Sequence, residues 1–249
     1  MYAFFLDIDG TIYDGKQVSG AVVDTIVRAR SAGHKVFINT ARAYIGMPEQ
    51  VYKLPVDGWV NAFGLEIFAD GKFIHRKYLS RQQVLEAAKY AFDKGVKLYF
   101  EGEIRLDLNC QRQGSLNPKD MDEFTAMLGE NRVCKFALTD GMTEADRRAF
   151  EADFDFYDIE VIAKGYSKTR GIQIVQEYYG IAQKNTVAIG DTDPDIDMVN
   201  YAGIGIAMGN GTPNLKAHAQ YVTRTIEEHG VAYAIDCLLS GNLSGLEKE

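Results

Sequence analysis

The sequence predicts an α/β protein in which a parallel-sheet core is interrupted by an inserted domain of mixed helices and strands. Short apolar runs without alternation, typical of strands buried on both faces, occur near both ends of the chain with helical stretches between them. The middle of the chain contains hairpin turns and half-exposed strands instead. With 249 residues, the chain is long enough for one large domain or two small ones.

The first elements are predicted as strand, helix and strand. Residues 2–7 form a short apolar run, and residues 21–32 place apolar side chains near one helical face before Gly33, a typical helix stop. Residues 36–38 form a second apolar strand. Because strands that alternate with helices usually pair in parallel, this segment predicts the first half of the core.

A different pattern occupies the middle of the chain. Asp70-Gly71 predicts a tight hairpin turn, and a capping box at Ser80 predicts a helix that ends near Gly95. The elements predicted after it are two strands around a turn at Glu101-Gly102, a helix opened by Asn117-Pro118, a strand at 133–139, a helix from Thr143 and a strand at 154–163.

Buried strands return after Gly165. The elements predicted here are a helix at 169–179 and strands at 187–189 and 204–207. Since the two ends share one pattern and the middle differs, residues 1–79 and 164–249 are predicted to form the core, and residues 80–163 the inserted domain.

Composition excludes several classes of function. The net charge of -8 argues against binding to nucleic acid or anionic membranes, because both require clustered Lys and Arg. The three widely spaced cysteines, Cys110, Cys134 and Cys237, favour a reducing, cytoplasmic compartment. The apolar start runs directly into Asp7 and is too short for a signal peptide, and no run has the length of a membrane span.

The strongest chemical signal is Asp7-Ile8-Asp9-Gly10-Thr11, directly after the first predicted strand. Ligand sites of parallel α/β sheets lie beyond the carboxyl ends of the strands. Two acids this close repel each other unless a proton or cation lies between them, and Mg²⁺ prefers oxygen ligands of this kind. The simpler alternative is a strand end with solvated aspartates.

A second acidic signal, Gly190-Asp191-Thr192-Asp193-Pro194-Asp195-Ile196-Asp197, follows another predicted strand. Its four aspartates repel one another in the absence of a cation. A metal-binding role is favoured for Asp191 at the strand exit. Asp193 and Asp197 are also explained by an acid-rich helix start, which the helix dipole stabilises.

Two further signals are weak when taken alone. Thr40-Ala41-Arg42 follows the second strand, where a hydroxyl and backbone amides at a helix start would cradle an anion. Thr40 as an ordinary N-cap is the simpler interpretation. Lys168 by itself is most simply a solvated surface lysine.

In this order, Asp-x-Asp-Gly-Thr, Thr-x-Arg, Lys and Gly-Asp-x-x-x-Asp resemble the motifs of the haloacid dehalogenase superfamily of phosphohydrolases, most closely its Cof-type, sugar-phosphatase-like branch. The match spans nearly the whole chain, with further matching segments at Asn61, 165–168, 207–211, 221–223 and 229–232. The resemblance implies a Rossmann-like parallel-sheet core with an α/β cap domain between the second and third motifs. The predicted insert occupies that place.

The resemblance also implies a role for each motif residue. Asp7 resembles the nucleophile that forms an aspartyl-phosphate, and Asp9 resembles the general acid and base. Asp7, the Asp9 carbonyl and Asp191 resemble the Mg²⁺ ligands, whereas Asp195 resembles the acid that positions metal-bound water or Lys168. The positions that correspond to phosphate binding are Gly10, Thr11, Thr40, Ala41 and Lys168. The charge repulsion between a carboxylate nucleophile and phosphate is reduced by a metal ion and a lysine.

Two positions depart from the family pattern. Pro194 stands where the family usually has Asn, so a side-chain amide donor to phosphate is lost, although proline suits a first helical turn. Ala41 stands where Gly is usual, but its backbone N–H remains available. Phosphatase activity is therefore expected, in a form that the change at Pro194 weakens or alters.

The prediction is a cytoplasmic, Mg²⁺-dependent phosphatase that acts on a small-molecule phosphate ester, by resemblance a sugar phosphate. One alternative is a catalytically weak or degenerate member of the fold with a binding or regulatory role, which only Pro194 supports. A phosphoacceptor signalling domain is the other, but such domains are much shorter and lack the insert. The candidate substrate contacts in the insert are Arg105, Asp107, Asn109, Arg112 and Gln113, although alternating polar residues also mark the wet face of a sheet.

Overall fold

The computed structural model describes residues 1–141 and 143–246, so Met142 of the predicted insert and residues 247–249 of the predicted core lie outside the described residues. The chain divides into two compact units. The first unit comprises Met1–Ala41, Met47–His75 and the chain from Ser167 onward, and the second comprises Arg42–Gly46 and Arg76–Tyr166. The sequence does not predict that the short segment Arg42–Gly46 belongs to the second unit.

The described strands are, in chain order, β1 Ala3–Leu6, β2 Lys35–Asn39, β3 Gly58–Asn61, β4 Glu66–Ala69, β5 Lys72–Arg76, β6 Leu98–Gly102, β7 Arg105–Leu108, β8 Val133–Leu138, β9 Phe154–Tyr157, β10 Glu160–Ala163, β11 Thr186–Gly190, β12 Ile204–Ala207 and β13 Tyr221–Val222. The described α-helices are α1 Gly20–Ser31, α2 Glu49–Tyr52, α3 Arg81–Lys94, α4 Met121–Leu128, α5 Glu144–Phe150, α6 Lys168–Tyr179, α7 Ile196–Tyr201, α8 Pro213–His218 and α9 Gly230–Ser240. No helix among them has both the length and the apolar character needed to cross a membrane.

The sheet of the first unit has the strand order β13-β12-β11-β1-β2-β3-β4-β5. Strand β1 pairs in parallel with both β11 and β2, and all four of its residues are buried. The pairs β2–β3, β11–β12 and β12–β13 are also parallel, whereas β4 runs antiparallel to β3. The predicted α/β fold on a mainly parallel sheet is therefore confirmed, and burial on both faces explains the apolar runs without alternation.

The second unit contains an antiparallel sheet with the order β7-β6-β8-β10-β9. Helix α3 begins at the predicted capping box of Ser80 and ends at Gly95, whose φ of 68° is left-handed. One face of the sheet carries an aromatic core in which Phe136 lies against Phe100, Phe150 and Phe154.

Three predictions for the second unit are wrong in detail. Glu101-Gly102 belongs to strand β6 and is not a turn. Helix α4 begins after Asp120 because that carboxylate, and not Asn117, caps the helix by accepting the Glu123 N–H at 2.9 Å. The single strand predicted at 154–163 is the hairpin β9–β10, where Asp158 turns the chain with a φ of 53°.

Candidate active site

The loop after β1 places Asp7 at the carboxyl end of the central strand. The Asp7 N–H donates to Ile189 O of β11 at 3.0 Å, so the residue is still held by the sheet. The chain then folds back, and the N–H groups of Thr11, Ile12 and Tyr13 all donate to Ile8 O at 2.9–3.2 Å. Backbone hydrogen bonds at Asp7 and just after it therefore hold the residue in place at the exit of the strand.

The second acidic motif meets the first because β1 and β11 are parallel neighbours. Asp191 follows β11, and Thr11 Oγ1 donates to Asp191 Oδ1 at 3.2 Å. Asp195 lies at the end of the 3₁₀ turn Asp193–Asp195, where its Oδ2 accepts the N–H groups of Asp191 (3.0 Å) and Thr192 (3.1 Å). The turn therefore aims a fully buried carboxylate back at the strand exit.

Lys168 joins the two motifs. Its Nζ donates to Asp7 Oδ1 at 2.6 Å and to Asp195 Oδ1, and the residue is 2% exposed. The interpretation of Lys168 as a solvated surface lysine is therefore wrong. Helix α6 positions it, because Ser167 caps the helix and makes Lys168 its first residue.

The site carries more negative than positive charge. Oxygen atoms of Asp7, Asp191 and Asp195 lie within 4.8 Å of one another, and among the described residues the ammonium group of Lys168 is the cation bonded to them. Burial raises the pKa of Asp7 to about 8 and that of Asp191 to about 6, and repulsion from Asp195 adds to both shifts. Burial opposes the charged form of Lys168, but Asp195 and Asp7 outweigh it and raise the pKa of the lysine.

The residues present fit a hard divalent cation. Asp191 Oδ2 accepts no hydrogen bond from the described part of the chain, and Asp7 Oδ1 accepts one only from Lys168, whereas Asp195 binds Lys168 through one oxygen and two backbone N–H groups through the other. Two buried carboxylate oxygens with open lone pairs in a region of excess negative charge are suited to Mg²⁺. The bonds of Asp195 fit a residue that orients Lys168 and the Asp191 backbone.

The remaining predicted residues lie at the same edge of the sheet. Asp9 follows Asp7 after one residue and its side chain is exposed. Thr40 is buried at the end of β2, but no helix begins there, so the N-cap interpretation is wrong. Its N–H donates to Val60 O at 2.9 Å and its carbonyl accepts the Phe63 N–H at 3.2 Å, so the chain is tied to β3 and the turn beyond it. Ala41 is partly exposed in the bend that follows.

Two asparagines that sequence reasoning assigned no role support the site. The buried Asn39 donates from Nδ2 to Lys168 O at 3.1 Å and so holds the start of α6. Asn210 donates from Nδ2 to Gly10 O at 2.8 Å and accepts the Ile226 N–H at 2.9 Å. A polar side chain inside an apolar strand was the available signal for Asn39.

Gly10 provides a local test of this geometry. A methyl group at Gly10 would overlap the Asp191 carboxylate, and the φ of 76° already disfavours any other residue. We expect Gly10→Ala to displace Asp191 and to lower kcat/KM, measured by phosphate release, by at least about tenfold, since a positional error of about 1 Å at a reacting centre costs up to about a hundredfold in rate. Gly15→Ala is the matched control, because its φ of 90° imposes the same backbone strain but no atom lies within 4 Å. Equal losses in both variants would show that strain alone is responsible.

Comparison with known proteins places the chain among enzymes. The family model described as haloacid dehalogenase-like hydrolase matches residues 4–235. The chain is 27% identical over 264 residues to the 5-amino-6-(5-phospho-D-ribitylamino)uracil phosphatase YitU of Bacillus subtilis (strain 168), covering 93% of this chain and 95% of that protein. It is 26% identical over 284 residues to the phosphatase YwpJ of the same organism, covering 94% and 98%.

A solved structure agrees in fold. The sugar phosphatase BT4131 matches with a TM-score of 0.81 at 24% identity, covering 96% of this chain and 99% of that one. The resemblance predicted from the motifs, including its Cof-type branch, is confirmed.

Proposed function

The chain belongs to the haloacid dehalogenase-like hydrolases and is a phosphatase, and from this premise we propose that it hydrolyses a small phosphate monoester through a phosphorylated Asp7. The observation that carries the proposal is the hydrogen bonding of Asp7. Lys168 holds Oδ1 at 2.6 Å, and the carboxylate keeps further lone pairs that are available to attack phosphorus. A nucleophile needs this combination of fixed orientation and an open lone pair.

In the first step, Asp7 Oδ2 forms a bond to phosphorus as the bond from phosphorus to the leaving oxygen breaks. Asp9, two residues further on and exposed, donates a proton to that oxygen. In the second step, Asp9 takes a proton from water, which attacks the aspartyl-phosphate and releases phosphate and free Asp7. Lys168, Thr40 and the backbone amide of Ala41 are proposed to hold the phosphate oxygens. The N–H groups of Gly10 and Thr11, which the resemblance also assigns to phosphate, donate instead to Tyr13 O at 3.0 Å and to Ile8 O at 3.2 Å.

Asp7, Asp191 and the Asp9 carbonyl are proposed to hold Mg²⁺. When bound, this ion supplies positive charge that reduces the repulsion between the nucleophile and the phosphate oxygens. Asp195 is proposed to act indirectly, by orienting Lys168 through a hydrogen bond.

The proposed substrate is a phosphate ester of a sugar or a sugar-derived chain. The relative YitU is named for a phosphoribitylamino compound, in which the phosphate is carried by a ribityl chain. The three cysteines are free thiols, which supports the proposal that the protein acts in the reducing cytoplasm. The proposed partner is this small molecule alone, since the net charge of -8 opposes nucleic acid and anionic membranes.

Phosphate release from a substrate panel tests the proposal. The panel contains hexose and pentose phosphates, a ribityl phosphate ester such as FMN, nucleotides and a generic aryl phosphate, each with Mg²⁺, with Ca²⁺ and with chelator. We expect turnover with Mg²⁺ only, because Ca²⁺ accepts more ligands and would bind Asp7 through both oxygens. Full activity in chelator would contradict the metal assignment. No turnover on the whole panel would favour the binding or regulatory alternative.

Pro194 is proposed to weaken phosphate binding. It lies in the 3₁₀ turn between Asp193 and the buried Asp195, where proline fits the first turn. In the family pattern, the side-chain amide of an Asn at this position would donate a hydrogen bond to phosphate. Its loss costs about 1.5–3 kcal/mol of binding free energy, or roughly tenfold to hundredfold in affinity. We expect Pro194→Asn to raise kcat/KM by up to about tenfold, measured over the same panel. Pro194→Ala removes the ring without adding a donor and should give no gain. A lower kcat/KM for Pro194→Asn on every substrate would contradict this assignment.

A further inference from the structure

Residues 208–212, here called the brace loop, connect β12 with α8 and lie along the exit of β11. The Met208 N–H donates to Gly190 O at 2.9 Å, and the Thr212 N–H donates to Asp191 O at 2.9 Å. All of these residues, together with the loop after β1, belong to the first unit of the chain. The brace loop is therefore bonded directly to the backbone of the proposed metal ligand Asp191.

The brace loop also packs closely on this backbone. A methyl group added at Gly211 would stand 2.9 Å from Met208 O and 3.1 Å from Asp191 O, although the φ of Gly211 imposes no need for glycine. Close approach of the chain therefore accounts for the glycine. The loop is held a third time at Gly209, whose N–H donates to Arg224 O at 3.0 Å.

Asn210, in the middle of the brace loop, reaches across to the loop after β1. Its Nδ2 donates to Gly10 O at 2.8 Å, and its Oδ1 accepts the Ile226 N–H at 2.9 Å. The two bonds fix the orientation of the amide, because a reversed amide would turn its oxygen towards Gly10 O and its N–H groups towards the Ile226 N–H. One side chain thus connects three segments that lie far apart in the sequence.

The bond to Gly10 O holds the peptide group that joins Gly10 to Thr11. Thr11 Oγ1 donates in turn to Asp191 Oδ1 at 3.2 Å, while Asp191 Oδ2 accepts no hydrogen bond from the described part of the chain. Because a peptide group is planar, a rotation that moves Gly10 O also moves the Thr11 N–H and shifts the Thr11 side chain. Asn210 is therefore connected to the Asp191 carboxylate through Thr11.

We propose that Asn210 is a positioning residue that sets the affinity of the site for Mg²⁺. By holding Gly10 O, it keeps Thr11 bonded to Asp191 Oδ1 and so keeps the carboxylate in the orientation that leaves Oδ2 free to bind the ion. The inference rests on the proposed function, which assigns Asp191 to Mg²⁺. Replacing a residue that orients a metal ligand from outside typically costs about tenfold to a hundredfold in metal affinity.

Asn210→Ala tests the inference, because it removes both bonds of the amide. We expect calorimetric titration of the metal-free protein to give a dissociation constant for Mg²⁺ about tenfold above that of the parent. At saturating Mg²⁺, kcat should return to within about twofold of the parent value, because excess ion shifts the carboxylate to its binding orientation. A kcat that stays low at every Mg²⁺ concentration would indicate general damage to the site and contradict the inference.

Asn242→Ala is the matched control. Asn242 is an exposed asparagine of the same unit, and its Oδ1 accepts the Ser244 N–H at 3.1 Å and the Ser244 hydroxyl at 2.6 Å. The same substitution there also removes two hydrogen bonds, but the dissociation constant for Mg²⁺ should not change. Thermal unfolding in chelator checks that both variants are folded. Equal weakening of Mg²⁺ binding in the two variants, or an unchanged constant in Asn210→Ala, would overturn the inference.

Asn210→Asp separates the two bonds of the amide. This variant keeps an acceptor for the Ile226 N–H but places an oxygen against Gly10 O, where the donor was. Its added negative charge alone would favour a cation. We nevertheless expect weaker Mg²⁺ binding than in the parent, which would trace the effect to the lost donor. Binding as strong as in the parent would show that the bond to Gly10 does not set the affinity, and the inference would fail.

A double variant tests the route through Thr11. Thr11→Val removes the hydroxyl but keeps the shape of the side chain, so the losses of Mg²⁺ affinity in Thr11→Val and Asn210→Ala should combine to less than their product. Fully multiplicative losses would show an independent action of Asn210 and contradict the inference.

Asp191→Asn distinguishes failure of the inference from failure of the proposed function. If Asp191→Asn abolishes Mg²⁺ binding but Asn210→Ala does not weaken it, the inference about Asn210 alone fails. If Asp191→Asn binds Mg²⁺ as tightly as the parent does, the proposed metal assignment of Asp191 fails as well.

Discussion

Asp7→Asn is expected to abolish turnover while the protein stays folded. The amide has the shape of the carboxylate and is able to keep the backbone bond to Ile189, but its oxygen is too weak a nucleophile to attack phosphorus. Because the variant is unable to form the aspartyl-phosphate, the main chemical step is lost, and we expect kcat to fall by at least about a thousandfold. Phosphate release with Mg²⁺ on the best substrate of the panel is the measurement.

The control for Asp7→Asn is Asp24→Asn, the same chemical change on the exposed face of α1, which should keep full activity. Thermal unfolding of both variants checks the fold. A second readout is phosphorylation itself: rapid quenching during turnover should trap acid-stable, hydroxylamine-sensitive phosphate on the parent protein and none on Asp7→Asn. If purified, folded Asp7→Asn retains more than a few per cent of the parent activity, Asp7 is not the nucleophile.

Lys168→Met is expected to reduce both activity and stability. The substitution removes the ammonium group that is bonded to Asp7 and Asp195 and leaves two buried carboxylates without this partner. Breaking a buried ion pair from one side costs about 3–5 kcal/mol of unfolding free energy. Urea denaturation in chelator measures the loss, and added Mg²⁺ should recover part of it if the same carboxylates bind the ion.

The loss of stability in Lys168→Met should depend on pH. Buried carboxylates have pKa values above their unfolded values, so the folded protein binds more protons and stability falls as pH rises from the unfolded pKa towards the folded one. Because burial already raises the pKa of Asp7 to about 8, we expect the variant to be less stable at pH 8 than at pH 6. The control is Lys53→Met, which breaks an exposed pair with Glu49 and should cost at most about 1 kcal/mol at either pH. Equal losses in the two variants would contradict the buried role of Lys168.

Much of the fold could be predicted from the sequence because its signals are local. The apolar run of β1, the capping box at Ser80 and the Asp70-Gly71 turn each depend on a few neighbouring residues, and the structure has all three. The placement of Asp7 and Asp191 was also predictable, since acids that follow buried parallel strands meet at one edge of the sheet. Local reasoning failed where two signals competed, as at Asn117 and Asp120, both of which are suitable helix caps.

What only the tertiary structure decided depends on contacts between residues far apart in the chain. Lys168 is solvated in any local interpretation and becomes a buried partner of Asp7 only because α6 begins beside the exit of β1. From the sequence, Glu101 is predicted to lie in a turn. In the structure, the pairing of β8 with β6 brings Lys135 next to it. Hydrogen bonds and ion pairs act over a few ångströms, so strand order and burial determine which side chains meet, whereas caps, turns and apolar periodicity are determined by the local chain.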